Sequence, residues 1–305
     1  MTLPYKKRIE HLKNRSLVVQ AIRDFFTSHH YLEVDTPVRS PSVIPEAHIE
    51  PVTSETHFLQ ASPELCMKRL LSQGFDRIFQ ICKCFRKNER GSRHLPEMTL
   101  LEWYAKGAAY RDLMAECEDL ICFIAGRYNL NTTLHYQGTA ISIAPPWKRL
   151  TVKDAFEIFA EKSMEAALRD DTFDEVISFE IEPCLGLTQP VFLMDYPTQY
   201  AALARLKPDN TRLAERFELY IAGIELANAF TELTDGAVQR KRFEKENQLR
   251  SLHRRAPLPM PEKLLDDLDR MPDAAGIALG VDRLVMLFSN APSIDDVVAF
   301  TPEEL

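Results

Sequence analysis

Apolar residues recur three and four positions apart over Ile9 to Ser28 (Leu12, Leu17, Val18, Ala21, Ile22, Phe25, Phe26), a spacing that predicts an amphipathic helix. A second helical pattern runs from Arg111 to Tyr128, a charged third from Val238 to His253, and a short fourth from Glu262 to Arg270 after the Pro257, Pro259 and Pro261 loop. Strand-like stretches are Glu50 to Val52, Phe58 to Gln60, Val191 to Tyr196, Phe217 to Ala222 and Glu225 to Leu233. Ile78 to Phe85 and Met98 to Tyr104 flank a long polar loop and predict two antiparallel strands with an extended hairpin connection. Helices and strands interleave without regular βαβ repeats, so the expected fold class is α+β, an antiparallel sheet flanked by helices. The stretch 139–173 reads as a possible inserted helical region within a single domain spanning 1–305.

Composition adds little chemistry but bounds the class. Hydrophobic residues make up 45 % and charged residues 27 %, ordinary for a soluble globular enzyme. No apolar run reaches membrane-span length, and Met1 to Glu10 is polar, unlike a signal peptide, so the protein reads as cytoplasmic with no membrane partner. A formal charge of −8 does not favour a large nucleic-acid footprint. Among six cysteines only Cys82 and Cys84 are close; a C-x-C pair in a strand puts both thiols on one face but lacks the second pair a zinc site needs. Buried free thiols are the expected state for most of them.

Charge placement within the elements is more telling. Arg86 ends the first hairpin strand, and Arg93 and His94 lie in the loop, so several donors converge on one mouth suited to a nucleotide phosphate or to a merely solvated tip. A tight turn at Ala222 and Gly223 would fold Phe217 to Glu232 into a hairpin with Glu218 within about two residues of facing Glu225. Like charges so placed destabilise a sheet unless a cation joins them, and carboxylates with phosphates are the usual Mg²⁺ ligands. Glu225 and Glu232 differ in strand parity, so a β-bulge near Ala227 and Asn228 is predicted to bring them to one face. Ser62 is a plausible N-cap with Pro63 at the first helical position, and Glu64 complements the helix dipole. Near the C-terminus Gly280 allows close backbone approach, and Arg283 opens an apolar helix against the dipole preference, which points to service of a ligand.

The runs Phe85 to Tyr104 and Gly276 to Leu284 together resemble motifs 2 and 3 of class II aminoacyl-tRNA synthetases, in particular the lysyl branch; Phe25 to Pro37 resembles motif 1. The resemblance spans roughly Ile9 to Phe300. It implies a homodimer around Pro37, ATP held by Arg86, Lys87, Asn88, His94, Leu95, Met98, Glu225, Leu226, Gly280 and Arg283, and Mg²⁺ on Glu218 and Glu225. Arg86 would take the α-phosphate, and Arg283 the adenine face and outer phosphates. It further implies a lysine-type substrate held by Ser62, Pro63, Glu64, Tyr104, Asn228, Glu232 and Ala278, with Glu64 on its amino group and Glu232 beside Tyr104 on its ε-ammonium.

Three positions depart from the family pattern. Asn88 stands where motif 2 has its glutamate, Met98 where an adenine-stacking Phe is usual, and Leu95 where an Asn precedes the proline. The chain starts almost at the motif 1 helix, so no anticodon-binding domain is expected. That layout is similar to the stand-alone synthetase-like ligases that attach (R)-β-lysine to elongation factor P. Ala278 replaces the middle glycine of the lysyl Gly-x-Gly-x-Gly-x-Asp-Arg motif, and its methyl narrows the wall beside the amino-acid backbone, which can favour a β-amino acid. The implied chemistry is formation of an adenylate, with release of pyrophosphate, then transfer to a lysine side chain of elongation factor P. The alternatives are a lysine-activating tRNA aminoacylase, disfavoured by the missing anticodon domain and the acidic balance, and a non-enzymatic amino-acid or nucleotide sensor.

Overall fold

A computed structural model describes residues 5–305. Of the N-terminal stretch read against a signal peptide, Met1 to Pro4 lie outside the described residues. The main sheet has eight strands in the order β1 (Leu32–Glu33), β5 (Arg77–Phe85), β6 (Glu97–Lys106), β13 (Ala274–Gly280), β12 (Ile224–Thr231), β11 (Leu213–Ile221), β10 (Val191–Pro197) and β9 (Lys148–Thr151). Its six central strands are antiparallel, as the sequence predicts, while β1 and β9 join the edges in parallel. A small sheet of β2 (Arg39–Ser40), β4 (His57–Leu59) and β3 (Thr53–Ser54) and a hairpin of β7 (Thr133–Tyr136) and β8 (Thr139–Ser142) lie beside it.

The two faces of the sheet have different jobs because side chains alternate along each strand. One face carries Phe79, Leu101, Trp103, Ile277, Leu279, Ala229 and Phe217 and is sealed by α1 (Tyr5–Ser28), α3 (Tyr110–Arg127) and α9 (Val281–Phe288) in the largest apolar cluster. Burial of that face supplies most of the folding drive, at about 25 cal/mol per Å² of apolar surface. The other face is covered at one end by α2 (Glu64–Ser72), α7 (Gly236–Leu252) and α8 (Glu262–Leu268), through Met67, Leu71, Phe243, Leu264 and Leu265 packed on Ile78 and Tyr104. Toward the β10 edge the same face is covered by the segment 152–181, which packs on Leu193 and Tyr220, and a cleft opens between the two covers.

Two expectations shift. Glu50 to Val52 is not a strand: Pro51 makes only an isolated bridge to Arg86, and the strand follows at β3, since Pro51 cannot donate to a ladder. The stretch 139–173 begins as strand, with β8 and β9. The helices α4 (Val152–Phe159), α5 (Met164–Arg169) and α6 (Phe173–Val176) then pack with Leu193 and Tyr220 of the sheet in a second core. All six cysteines are free; Cys84 and Cys117 are buried, Cys184 is exposed and the other three are half-buried. The Cys82 and Cys84 sulfurs do share a face, 3.8 Å apart. No helix among the described residues is long and apolar enough to cross a membrane.

Candidate active site

The cleft face carries the candidate site, and sheet register lays it out in steps. On β13 and β6, Gly280 pairs with Leu100, Ala278 with Glu102 and Gly276 with Tyr104; Asn228 on β12 pairs with Ala278 and with Glu218 on β11. The β11–β12 hairpin closes on a two-residue turn with Ala222 and Gly223 both at positive φ (56° and 67°), the pattern that matches strand twist. A bulge breaks its register: Leu219 pairs with Ala227 but Tyr220 with Glu225, so Leu226 is the extra residue. The expected bulge is therefore present, at Leu226 rather than at Ala227 and Asn228. It places Glu225 on the face that carries Asn228 and Phe230.

A cavity of about 490 Å³ opens at the Gly280 end, lined by Arg86, Asn88, His94, Leu95, Met98, Glu225, Leu226, Asn228, Ala278, Gly280 and Arg283 among others. Eleven expected residues are thus brought together from two hairpins and the β13–α9 junction, all distant in sequence. Arg283 is the joint: it donates to the Glu225 carbonyl (2.6 Å), to Glu225 Oε2 (3.1 Å) and to the Arg93 carbonyl (3.2 Å), and lies 2.7 Å from His94 Nε2. Burial and the Arg283 charge lower the His94 pKa, so the imidazole is neutral and can accept. Arg93 donates to the Gly223 carbonyl (2.6 Å), tying the loop to the β11–β12 turn. Arg86 approaches Glu89 at 3.8 Å and the Ala61 carbonyl at 3.5 Å. Asn88 has φ 67°, so this departure from the family pattern fits a left-handed position that Asn tolerates. Lys87 is exposed and is not among the lining residues; its backbone N–H donates to the Glu50 carbonyl.

A buried acid pocket lies at the Gly276 end. Glu64, Glu102 and Glu232 converge there with Tyr104, whose hydroxyl donates to Glu102 Oε2 (3.1 Å). Lys68 stands between Glu64 (2.5 Å) and Glu232 (2.6 Å). Burial raises the pKa of Glu102, and the Glu64 charge raises it further. Burial likewise pushes Glu232 up to about 8, against the opposing pull of Lys68. Burial alone would lower Lys68, but Glu232 and Glu64 more than reverse that and keep it protonated. The two trends agree physically, because three carboxylates compete for one ammonium. Glu102 Oε1 and Glu232 Oε1 are buried without a hydrogen-bond partner. Such orphans are costly and point to a missing donor.

The helix start at Glu64 differs by one residue from expectation. Pro63 takes the cap position, yet Ser62 Oγ still accepts from the Glu64 N–H (3.0 Å). Ser62 and Pro63 line a separate small cavity of about 30 Å³ that shares only Glu46 with the larger one.

Glu218 is more occupied than a waiting metal ligand. It accepts from Arg216 (2.7 Å), Tyr196 (2.5 Å) and Tyr220 (2.7 Å). Burial raises its pKa, Arg216 opposes, and the Glu225 charge raises it again. No group of three or more His, Cys, Asp or Glu among the described residues stands ready to hold a metal ion. The repulsion between Glu218 and Glu225, with Glu225 partly exposed to the cleft, nonetheless fits a divalent cation carried in with phosphate.

Four polar residues escaped the sequence reading. Glu102 had a signal, a carboxylate inside the apolar run Leu100 to Tyr104; so did Lys68, which sits among Met67 and Leu71 on the buried side of α2. Arg216, which links Asn228 and Glu218, and Glu46, half-buried with its pKa raised to about 7 by burial, had none.

An arginine-lined cleft and a carboxylate cluster on one face of an antiparallel sheet fit an amino-acid-activating synthetase core. The chain belongs to the class II aminoacyl-tRNA synthetases: the family described as tRNA synthetases class II (D, K and N) matches residues 1–304. The fold and the family make it an ATP-dependent amino-acid ligase. Its curated relatives include the elongation factor P–(R)-β-lysine ligases of Pectobacterium carotovorum, 38 % identical over 97 % of this chain and 96 % of the relative, and of Photobacterium profundum, 37 % identical over 96 % and 95 %. The ligase of Edwardsiella ictaluri is 36 % identical over 96 % and 95 %.

Proposed function

We propose that the chain activates (R)-β-lysine or lysine with ATP and transfers it to a lysine side chain of elongation factor P. One observation carries the substrate class: a buried cluster of three carboxylates, one internal ammonium and two orphaned oxygens, on the sheet face where Ala278, paired with Glu102, lines the arginine-rich cleft. Glu64 and Glu232 bind the two substrate ammonium groups, and Tyr104, whose hydroxyl is held by Glu102, flanks the Glu232 seat. The substrate carboxylate, directed past Asn228 and Ala278, attacks the α-phosphorus; pyrophosphate leaves and an acyl adenylate remains. Arg86 and Arg283 neutralise phosphate charge and hold the reactants in line. Glu225, with Glu218 behind it, would hold Mg²⁺, which supplies further charge neutralisation when bound. The acceptor amine then attacks the acyl carbon and AMP leaves. The names of the relatives support elongation factor P as acceptor, and a cytoplasmic reaction is consistent with that acceptor. We further propose one catalytic unit over 1–305, since the main sheet draws strands from residue 32 to residue 280. A homodimer formed through α1 and β1 would cover the exposed Leu17, Leu32 and Val38.

Pyrophosphate exchange with α-lysine and β-lysine, followed by transfer of labelled amino acid to elongation factor P or to tRNA, tests this. The expected result is exchange with a diamino acid and label on the protein acceptor. Label on tRNA alone, or no exchange with either amino acid, overturns it.

A further inference from the structure

One ammonium group is already built into the acid pocket. Lys68 is 2 % exposed, and its Nζ lies within 2.6 Å of both Glu64 Oε1 and Glu232 Oε2, with the Phe230 ring centroid at 5.2 Å. Packing does not ask for a lysine there. Its neighbours on α2, Met67 and Leu71, are apolar, and an apolar side chain of that volume would avoid desolvating a charge. The charged and titratable groups around it are Glu64 from its own helix, Glu102 and Tyr104 from β6, and Glu232 just beyond β12.

The charge count is specific. Three carboxylates face one built-in ammonium, so full ionisation of the pocket needs two further positive charges. Lys68 occupies one oxygen of Glu64 and one of Glu232, so each carboxylate keeps its other oxygen for a ligand. We propose that Lys68 is a positioning residue for substrate selection: its ammonium links Glu64 to Glu232, fixes the spacing of the two ammonium seats, and leaves a charge deficit that an amino acid with two ammonium groups fills. The inference rests on the reading that Glu64 and Glu232 hold those groups. Without Lys68 the two carboxylates repel, one of them takes up a proton, and a seat is lost. Norleucine, with the same chain and one ammonium fewer, leaves half the deficit unfilled.

The test compares wild type, Lys68→Met and Lys68→Arg in pyrophosphate exchange. In Lys68→Met the KM for lysine or β-lysine should rise at least about 30-fold while the KM for ATP stays put. The preference in kcat/KM for the diamino acid over norleucine should fall about tenfold or more. The acid limb of the pH profile for amino-acid kcat/KM should move to higher pH, because Glu232 loses the charge that favours its ionised form. Lys68→Arg should hold that limb in place while raising KM through its different shape. If circular dichroism shows Lys68→Met unfolded, Lys68→Arg decides alone: a displaced limb or an unchanged KM overturns the proposal. An active wild type with an unchanged Lys68→Met defeats this inference only. A wild type that exchanges with no diamino acid defeats the functional reading and this inference with it.

Discussion

Gly276→Ala offers a sharp probe of the acid pocket. Gly276 sits mid-strand in β13, between Tyr104 on β6 and Phe230 on β12. Its backbone is not in the left-handed region, so alanine meets no conformational penalty and slightly restricts the unfolded chain. The obstacle is space. A Cβ there would overlap Tyr104 Cε1 and Glu232 Oε1 and come to 2.5 Å of Tyr104 Cδ1. Neither neighbour yields cheaply, because the Tyr104 hydroxyl is bonded to Glu102 and Glu232 is paired with Lys68. Overpacking of this kind costs about 1–3 kcal/mol. Expressed at the amino-acid seat, that is roughly a 5- to 150-fold rise in the KM for lysine or β-lysine. Gly280→Ala is the control: its Cβ would meet nothing closer than Arg283 Cδ at 3.6 Å, so the amino-acid KM should hold. Pyrophosphate exchange with each substrate varied, beside a thermal melt, makes the measurement. A folded Gly276→Ala protein with wild-type amino-acid KM would refute the placement of the substrate side chain between Tyr104 and Glu232.

Glu232→Gln should abolish lysine-dependent exchange while a fluorescent ATP analogue still binds, since an unpaired buried ammonium costs about 3–5 kcal/mol; retained exchange sinks the assignment. Because Glu232 is raised to about 8 and only its ionised form attracts an ammonium, the amino-acid KM should rise about tenfold per unit as pH falls below that value and level off above it; a flat profile from about pH 6 to 9 would contradict this. Glu225→Ala should raise the Mg²⁺ concentration needed for half-maximal exchange, whereas Glu218→Ala should also lower the melting temperature, because it strands Arg216 and two tyrosine hydroxyls; identical Mg²⁺ titrations would make both glutamates structural. Ala278→Gly should move the α-lysine to β-lysine ratio of kcat/KM toward α-lysine by roughly 10- to 200-fold, and a constant ratio would place selectivity elsewhere.

Much of this was legible because periodicity survives in long elements. The Ile9 to Ser28 pattern marks α1, and the β5–β6 hairpin is the one its flanking apolar runs describe. The parity conflict between Glu225 and Glu232 was enough to demand a bulge. What stayed hidden depends on pairings that local sequence does not encode. Parallel addition of β1 and β9 at the sheet edges is a long-range choice. Gly280 looked like the point of close approach because it follows the motif pattern, whereas the tight approach is at Gly276, where side chains from β6 and from beyond β12 arrive together. Lys68 and Glu102 look like strays on apolar surfaces until Glu64 and Glu232 are brought to them.

The bulge at Leu226 then explains how one sheet face can serve two chemistries of opposite charge. Without it, strict alternation would turn Glu225 toward the core under α1, α3 and α9 while Asn228 and Phe230 faced the site. With it, Glu225 meets Arg283 at the phosphate end. Glu232, seven residues on, still reaches Lys68 at the amino-acid end. The arginine-rich cleft and the carboxylate-rich pocket are thereby held on a common rigid strand. Asn228 and Ala278, paired across β12 and β13, lie between them. In the proposed reaction, an amino acid bound by its ammonium groups at one end would present its carboxylate near those two residues, where an α-phosphate held by Arg86 would arrive from the other side. Selectivity and activation are then one geometric condition, because a substrate that misses either ammonium seat also misplaces its carboxylate.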